Sequence, residues 1–310
     1  MATIYRSTDA GAPAGGSAAG GLIEVLRACL VDGYTGKSAA GWSVKFEDAP
    51  NHLLALQNST LFTGSVYRFD DSQTGHCRMR GYSDMSDIDT GTNATPSVAD
   101  RANGLQLVKH SSWIVVADSR TAWVSINNAD FYGFGDFDSA LPSDGLAWFV
   151  SGDNTGASSS HSGIAAHGAD GFASITREEW GQYIPRNLTD TDGPVKWSIP
   201  NLYNGRGANS TSLFNDGGLG GSAAPMVNPS PGSSKNFFIP AVLGCEGTMR
   251  GTLRGLYVPL NNIFPSITSG DEISGAGGID ATSIAVFRAV YGSLSFGRGG
   301  ALGVALGGDW

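Results

Sequence analysis

Residues 112–127 read SWIVVADSRTAWVSIN, two runs of β-branched and aromatic residues joined by a short polar turn. Such side chains fit a pleated, buried surface and lose rotamer freedom in a helix. The stretch therefore predicts a hairpin with strands over Trp113–Ala117 and Ala122–Ile126. The same signal recurs in VYRFDD (Val66–Asp71) and HCRMRGY (His76–Tyr82), with Gly75 in the connection between them. Trp42, Val44 and Phe46 alternate with Ser43 and Lys45, a strand with one face turned inward. Further strands are expected at 146–150, 237–243, 249–258, 284–291 and 301–306. One segment has helical spacing instead. Leu22, Ile23, Leu26, Cys29 and Leu30 fall on one face, and Gly33 stands where a helix would stop. The expected fold is mainly β, with sandwich or barrel-like antiparallel sheets and one N-terminal helix at about 22–32.

Composition sharpens that expectation. Gly contributes 45 of 310 residues and charged residues only 15%, against a usual share of about 25% for the latter. The small residues gather in three places: 9–21, 151–171 and 204–236. Tracts of this kind bury little and read as long Gly/Ser/Asn-rich loops. One elaborated β domain over 1–310 is expected, with a flexible lead at 1–21. A loop-rich insertion at 151–236 would follow, and strands at 237–310 would return to the core.

Several function classes lack support. The net charge is −9, and no run of Lys or Arg is present, so specific nucleic-acid binding is not expected. No apolar stretch reaches the roughly 20 residues needed to span a bilayer, and the first residues lack a basic-then-apolar leader pattern. The three cysteines, Cys29, Cys77 and Cys245, are far apart and odd in number, which favours free thiols. GYTGKSAAGW resembles a phosphate loop only in part, since Val31 occupies the position of its first glycine. GLGGSA at 218–223 fits a dinucleotide pattern but lacks the strand and helix that pattern requires. No G-x-S-x-G and no H-E-x-x-H occurs. His161 and His167, the acidic group Asp84, Asp87 and Asp89, and the pair Asp190 and Asp192 lack metal-site spacing. Neither a metal nor a cofactor is expected. Trp180, Trp197 and Tyr203 flank the loop-rich middle, where they can contact a partner or a glycan; ordinary core packing is the competing reading.

Several stretches carry a resemblance: IYRSTDAGAP (Ile4–Pro13), the helix LIEVLRACLVDGY, GKSAAGW, YRFDDS and CRMRGYSDMSDIDTGT. WIVVADSRTAWVSI, GFGDFDSALPSDGLAWF, MRGTLRGLYVPLNN and the closing Asp309-Trp310 continue it in the same order. Together they resemble a family of tailed-bacteriophage virion structural proteins, over roughly residues 1–150 and 245–310. The family's His after Pro-Leu is Asn261 in this chain. No catalytic residues travel with the resemblance. It implies a non-enzymatic virion subunit, assembled in the host cytoplasm, most at home in the tail (tip, baseplate or fibre-attachment region). Its partners would be itself and other virion proteins such as tail tube, baseplate or fibre, without membrane insertion. A capsid decoration or head–tail connector protein, and a glycan-binding or glycan-cleaving tail-tip protein, are the alternatives. Asp70, Asp71, Arg80, Asp89, Asp118, Arg120, Asp136, Arg250 and Arg254 fall at turns or on strands. Charge-assisted hydrogen bonds that lock strand ends are their expected role.

Overall fold

The computed structural model describes residues 1–95, 104–140, 147–153, 163–168, 171–176, 197–198, 238–245, 248–259, 268–274, 283–289, 300–307 and 310. Within them the protein is mainly β and every strand pairing is antiparallel, with one short α-helix.

The chain opens with β1 (Thr3–Arg6) and α1 (Gly21–Arg27), the latter continued by a single π turn at Ala28–Asp32. Leu22, Leu26, Cys29 and Leu30 face inward, as their spacing predicts; Val25 is buried with them in place of the expected Ile23, which is only partly buried, and Gly33 ends the run with φ +74°. Next come β2 (Ser43–Asp48), β3 (Leu53–Gln57), β4 (Val66–Asp70), β5 (His76–Tyr82), β6 (Asp84–Met85), β7 (Gly91–Thr92) and β8 (Leu105–Val108). β2-β3-β4-β5-β8 form a five-stranded sheet. The predicted hairpin is β9 (Trp113–Ala117) with β10 (Thr121–Ile126), in register from Ala117↔Ala122 to Trp113↔Ile126. β11 (Asp130–Ser139), β12 (Trp148–Asp153), β13 (Gly163–Gly168) and β14 (Gly171–Thr176) meander from it. β15 (Trp197–Ser198), β16 (Phe238–Cys245), β17 (Thr248–Pro259), β18 (Asp271–Ser274), β19 (Ser283–Ala289) and β20 (Gly300–Leu306) complete the set.

β9 to β12 are buried on both faces, which explains the apolar run of β9 and the large rings on both sides of β10 to β12. Val115, Val124, Tyr132, Phe134, Trp148 and Val150 face the five-stranded sheet and α1, where they meet Leu54, Leu56, Phe69, Met79 and Leu26. Val116, Trp123, Phe131, Phe137 and Phe149 face the other way, onto Leu253, Leu256, Phe287, Leu302 and Val304 from β17, β19 and β20. The period of two along each strand thus feeds two cores from one set of strands. The 13-stranded sheet also curls. Its main path runs β1-β9-β10-β11-β17-β20-β19-β18, and its two ends are tied by Arg6, whose Nη2 donates to Gly270 O (3.2 Å) and Glu272 Oε1 (2.6 Å).

Two expectations need correction. The lead at 1–21 was expected to be flexible, yet Thr3–Arg6 pairs with Ile114–Ala117 and Tyr5 is fully buried. Strand pairing of four residues outweighs the small-residue composition that follows them. The 151–171 tract was expected to be loop, yet it holds the end of β12 and all of β13. Its Gly, Ala and Ser residues pair in register with β12 and β14, because backbone ladders need no large side chain. The 204–236 tract lies outside the described residues.

Glycine also serves the strands. Gly133 sits directly opposite Trp123, and a Cβ added there would lie 2.1 Å from the indole ring. The bare backbone is what lets the ring lie across β11, stacked on Phe131 at 5.5 Å. Gly133→Ala is expected to lower stability by about 1–3 kcal/mol through overpacking. In the Trp123→Phe background the same change should cost less, a coupling readable by chemical denaturation of the four variants.

Candidate functional site

The hairpin turn between β9 and β10 begins at Asp118. Its Oδ1 accepts the backbone N–H groups of Arg120 and Thr121, both at 2.8 Å, a short polar side chain closing its own turn. Beside this turn β11 exchanges partners: residues 130–135 pair with β10, and 137–139 pair with β17. Gly135 sits at the exchange with φ +138°, a backbone conformation that a side chain would strain, and it packs against Arg120 O. Asp136 follows it with a fully buried side chain.

A chain of alternating charges crosses this point. Arg254 of β17 donates from Nη2 to Asp118 Oδ2 (3.3 Å) and from Nη1 to Asp138 Oδ1 (2.8 Å). Arg120 donates from Nε to Asp136 Oδ2 (2.9 Å) and places Nη2 3.7 Å from Asp138 Oδ1. Asp136 Oδ1 accepts from Asn58 Nδ2 (2.6 Å) and from the Thr63 hydroxyl. The five charges tie β9, β10, β11 and β17 together, and Asn58 and Thr63 bring in the β3–β4 loop. Asp138 is the one member of the chain with substantial exposure. Neighbouring backbone is held as well: Trp42 Nε1 donates to Asp118 O (2.7 Å) and Trp123 Nε1 to Arg254 O (2.9 Å).

A second polar centre lies under α1. Asp71, just past β4, accepts the backbone N–H groups of Leu22 (2.8 Å) and Ile23 (3.1 Å) on Oδ2. The residue before the helix, Gly20, has no side chain to cap it, so a distant carboxylate satisfies those donors. Asp71 Oδ1 accepts from Lys109 Nζ at 2.5 Å, and both side chains are fully buried. The ammonium's other donors reach Ala18 O (2.5 Å) and Gln73 O (2.7 Å). All three donors of Lys109 are matched.

The structure thus joins Asp118, Arg120, Asp136 and Arg254 in one network and places Asp71 in the other. Asp70 caps the turn after β4 through Ser72 N (3.2 Å) and Ser72 Oγ (2.6 Å). Asp89 pairs with Arg68 at 2.7 Å. The Arg80 guanidinium lies 5.6 Å from the Tyr82 ring centre and donates to Thr95 O. Arg250 is placed by its backbone within β17, and Trp197 by its backbone in β15 opposite Cys245. Trp180, Tyr203, Asp190, Asp192 and His161 lie outside the described residues. Sequence reading missed Lys109, Asn58, Thr63 and Asp138. Asp138 falls in the DFD triplet two residues after Asp136, the one signal that pointed to it.

Chemically, these are groups whose hydrogen bonds are directed into the protein. Among the described residues no cluster of three His, Cys, Asp or Glu side chains has metal-binding geometry. Asp84, Asp87 and Asp89 turn to separate partners, Met85 N, Thr90 N and Arg68. Burial pushes the thiols of Cys29 and Cys77 well above their usual range, which disfavours the thiolate at both. No described helix is long and apolar enough to cross a membrane. No protein-family model matches the chain, and no curated protein matches it.

Lys109→Met is expected to destabilise the protein by about 3–5 kcal/mol, because Asp71 would keep a buried charge with no counter-ion. Thermal melting of the variant reads this directly, and an unchanged midpoint would refute the role.

Two aspartates should titrate on opposite sides of the ordinary carboxylate value. Burial raises the Asp136 pKa, against the lowering pull of Thr63, Arg120 and Asn58. The backbone N–H of Asp89, and then Thr90, holds the exposed Asp87 carboxyl below it. Native Asp136 therefore binds its proton before the unfolded chain does. Its contribution to stability grows as pH falls through the raised value. That of Asp87 is present above the unfolded value and lost as pH falls through the native one. Carboxyl carbon NMR titration should resolve the two midpoints in that order.

Proposed function

We propose that this protein is a non-enzymatic structural subunit of a bacteriophage virion, placed in the tail at its tip, baseplate or fibre-attachment region. It acts by symmetric protein–protein assembly. The observation that carries this reading is the use made of the charged side chains in the stretches that resemble phage virion proteins. Asp71, Asp118, Arg120, Asp136 and Arg254 bond to strand ends, a helix start and one another, so they fix shape. A rigid scaffold with a lightly charged surface suits a part that is covered by neighbours, because charged residues are depleted from the cores of such contacts. In this reading the chain is made in the host cytoplasm and ends in the particle, with itself and other virion proteins as partners.

Peptide mass spectrometry of purified particles of the encoding phage tests it. The protein is expected at a fixed copy number, and antibody labelling is expected on the tail. Absence from washed particles overturns the proposal, and label confined to the head would move it to a capsid or connector position.

A further inference from the structure

Asp71 and Lys109 meet across a strand that contains neither of them. Asp71 lies just past β4 and Lys109 just past β8, and β5 runs between those two strands. The start of β5 sets the span: Asp70 is paired with Arg78, Val108 with His76, and Lys109 N donates to Gly75 O (3.0 Å). The Asp71 backbone is held as well, its N–H donating to His52 O (2.9 Å) and its carbonyl accepting from Gly20 N (3.0 Å). Lys109 Nζ and Asp71 Oδ1 are thereby brought to 2.5 Å, with neither side chain exposed. Leu22, Phe69, Cys77 and Leu107, on the elements that carry the pair, all belong to the apolar core.

An ammonium and a carboxylate taken out of water lose solvation that their mutual attraction only partly returns. Condensation to an amide removes both charges and releases one water. In bulk solvent the hydration of the two ions draws that reaction backwards, and a dry site takes the pull away. The geometry favours the forward direction. Two ammonium hydrogens are taken by Ala18 O (2.5 Å) and Gln73 O (2.7 Å), so the third N–H, and the lone pair left when its proton departs, is directed at the Asp71 carboxyl group. Oδ2 already accepts the N–H groups of Leu22 (2.8 Å) and Ile23 (3.1 Å). Paired backbone donors of this kind stabilise the negative charge that grows on a carboxyl oxygen under attack. Holding two groups in such contact is equivalent to a concentration on the order of 10⁵–10⁸ M in well-oriented intramolecular reactions.

We propose that Asp71 and Lys109 join in an intramolecular isopeptide bond after the chain has folded. The ammonium first gives one proton to Oδ1, leaving a neutral amine beside a carboxylic acid. The Nζ lone pair then bonds to Cγ, and charge collects on Oδ2 between the two N–H groups. A second proton passes from Nζ to Oδ1, the Cγ–Oδ1 bond breaks, and that oxygen leaves as water. Oδ2 becomes the amide oxygen and still caps α1, and the one hydrogen left on Nζ stays with a backbone carbonyl. No oxidant or other reactant is consumed. The bond is a covalent tie between the ends of β4 and β8, and it goes beyond the assembly reading without depending on it.

The test is the mass of the full chain, purified, denatured and reduced. It is expected to fall short of the sequence mass by one water, once any loss of the first methionine, common to all variants, is accounted for. Trypsin should release residues 69–78 joined to residues 102–120, uncut at Lys109. Lys109→Arg keeps the charge but removes the nucleophilic amine, and Asp71→Ala removes the carboxyl group. Each variant should show its own full sequence mass, a reading that holds whether or not the variant folds. A wild-type chain at full mass overturns the proposal. So does a missing water with the two peptides separate, which marks a cyclised aspartate, or a missing water in either variant. Absence of the protein from particles leaves the bond standing, and a full-mass chain leaves the virion reading standing.

Discussion

The architecture turns on the point where β11 leaves β10 and takes up β17. A strand that changes partners exposes backbone groups at the exchange, and no regular ladder can satisfy them. At Asp136 the backbone N–H donates to Arg120 O and the carbonyl accepts from the Thr121 hydroxyl, while the carboxylate binds side chains around the exchange. Asp136 gathers donors from the β3–β4 loop and from Arg120, and Arg254 links the β9–β10 turn to the far end of β11. These bonds add to the β11–β17 ladder, the apolar core and the Arg6 link in holding the two halves of the curled sheet. The cost is a carboxylate taken out of water, visible in its raised pKa.

Around that point the fold is an exercise in sharing. β10 to β12 supply one core with even-numbered side chains and the other with odd-numbered ones, and β9 does the same with the parity reversed. Strands used on both faces cannot carry many polar residues, which accounts for part of the low charge content. Large rings then need room, and glycine gives it: Trp123 lies over Gly133 and Trp148 over Gly81. Glycine abundance is thus a packing property as much as a loop property.

The second polar centre couples the helix to the five-stranded sheet. Asp71 caps α1 in the place of a local capping residue, and Lys109, next to the end of β8, neutralises it from the other side. Helix, β4 and β8 are therefore fixed by one buried ion pair. Such rigidity suits a part whose surfaces must meet neighbours in a repeated geometry, and it bears on the assembly role proposed for the protein.

Local pattern alone determined the predominance of β structure, the helix with its stop at Gly33 and the β9–β10 hairpin. Each depends on neighbours a few residues apart. It also marked Asp118, Arg120, Asp136 and Arg254 as shape-fixing residues, without showing that they touch. It missed β11, whose DFYGFGDFDS run is broken by glycines and aspartates that the structure uses for packing and for the charge network. It missed β1 and β13, whose pairing depends on distant partners. Only the tertiary structure decided which charges meet and that Lys109 completes Asp71. Those relations join residues up to hundreds of positions apart, and local sequence pattern does not encode their distance in space.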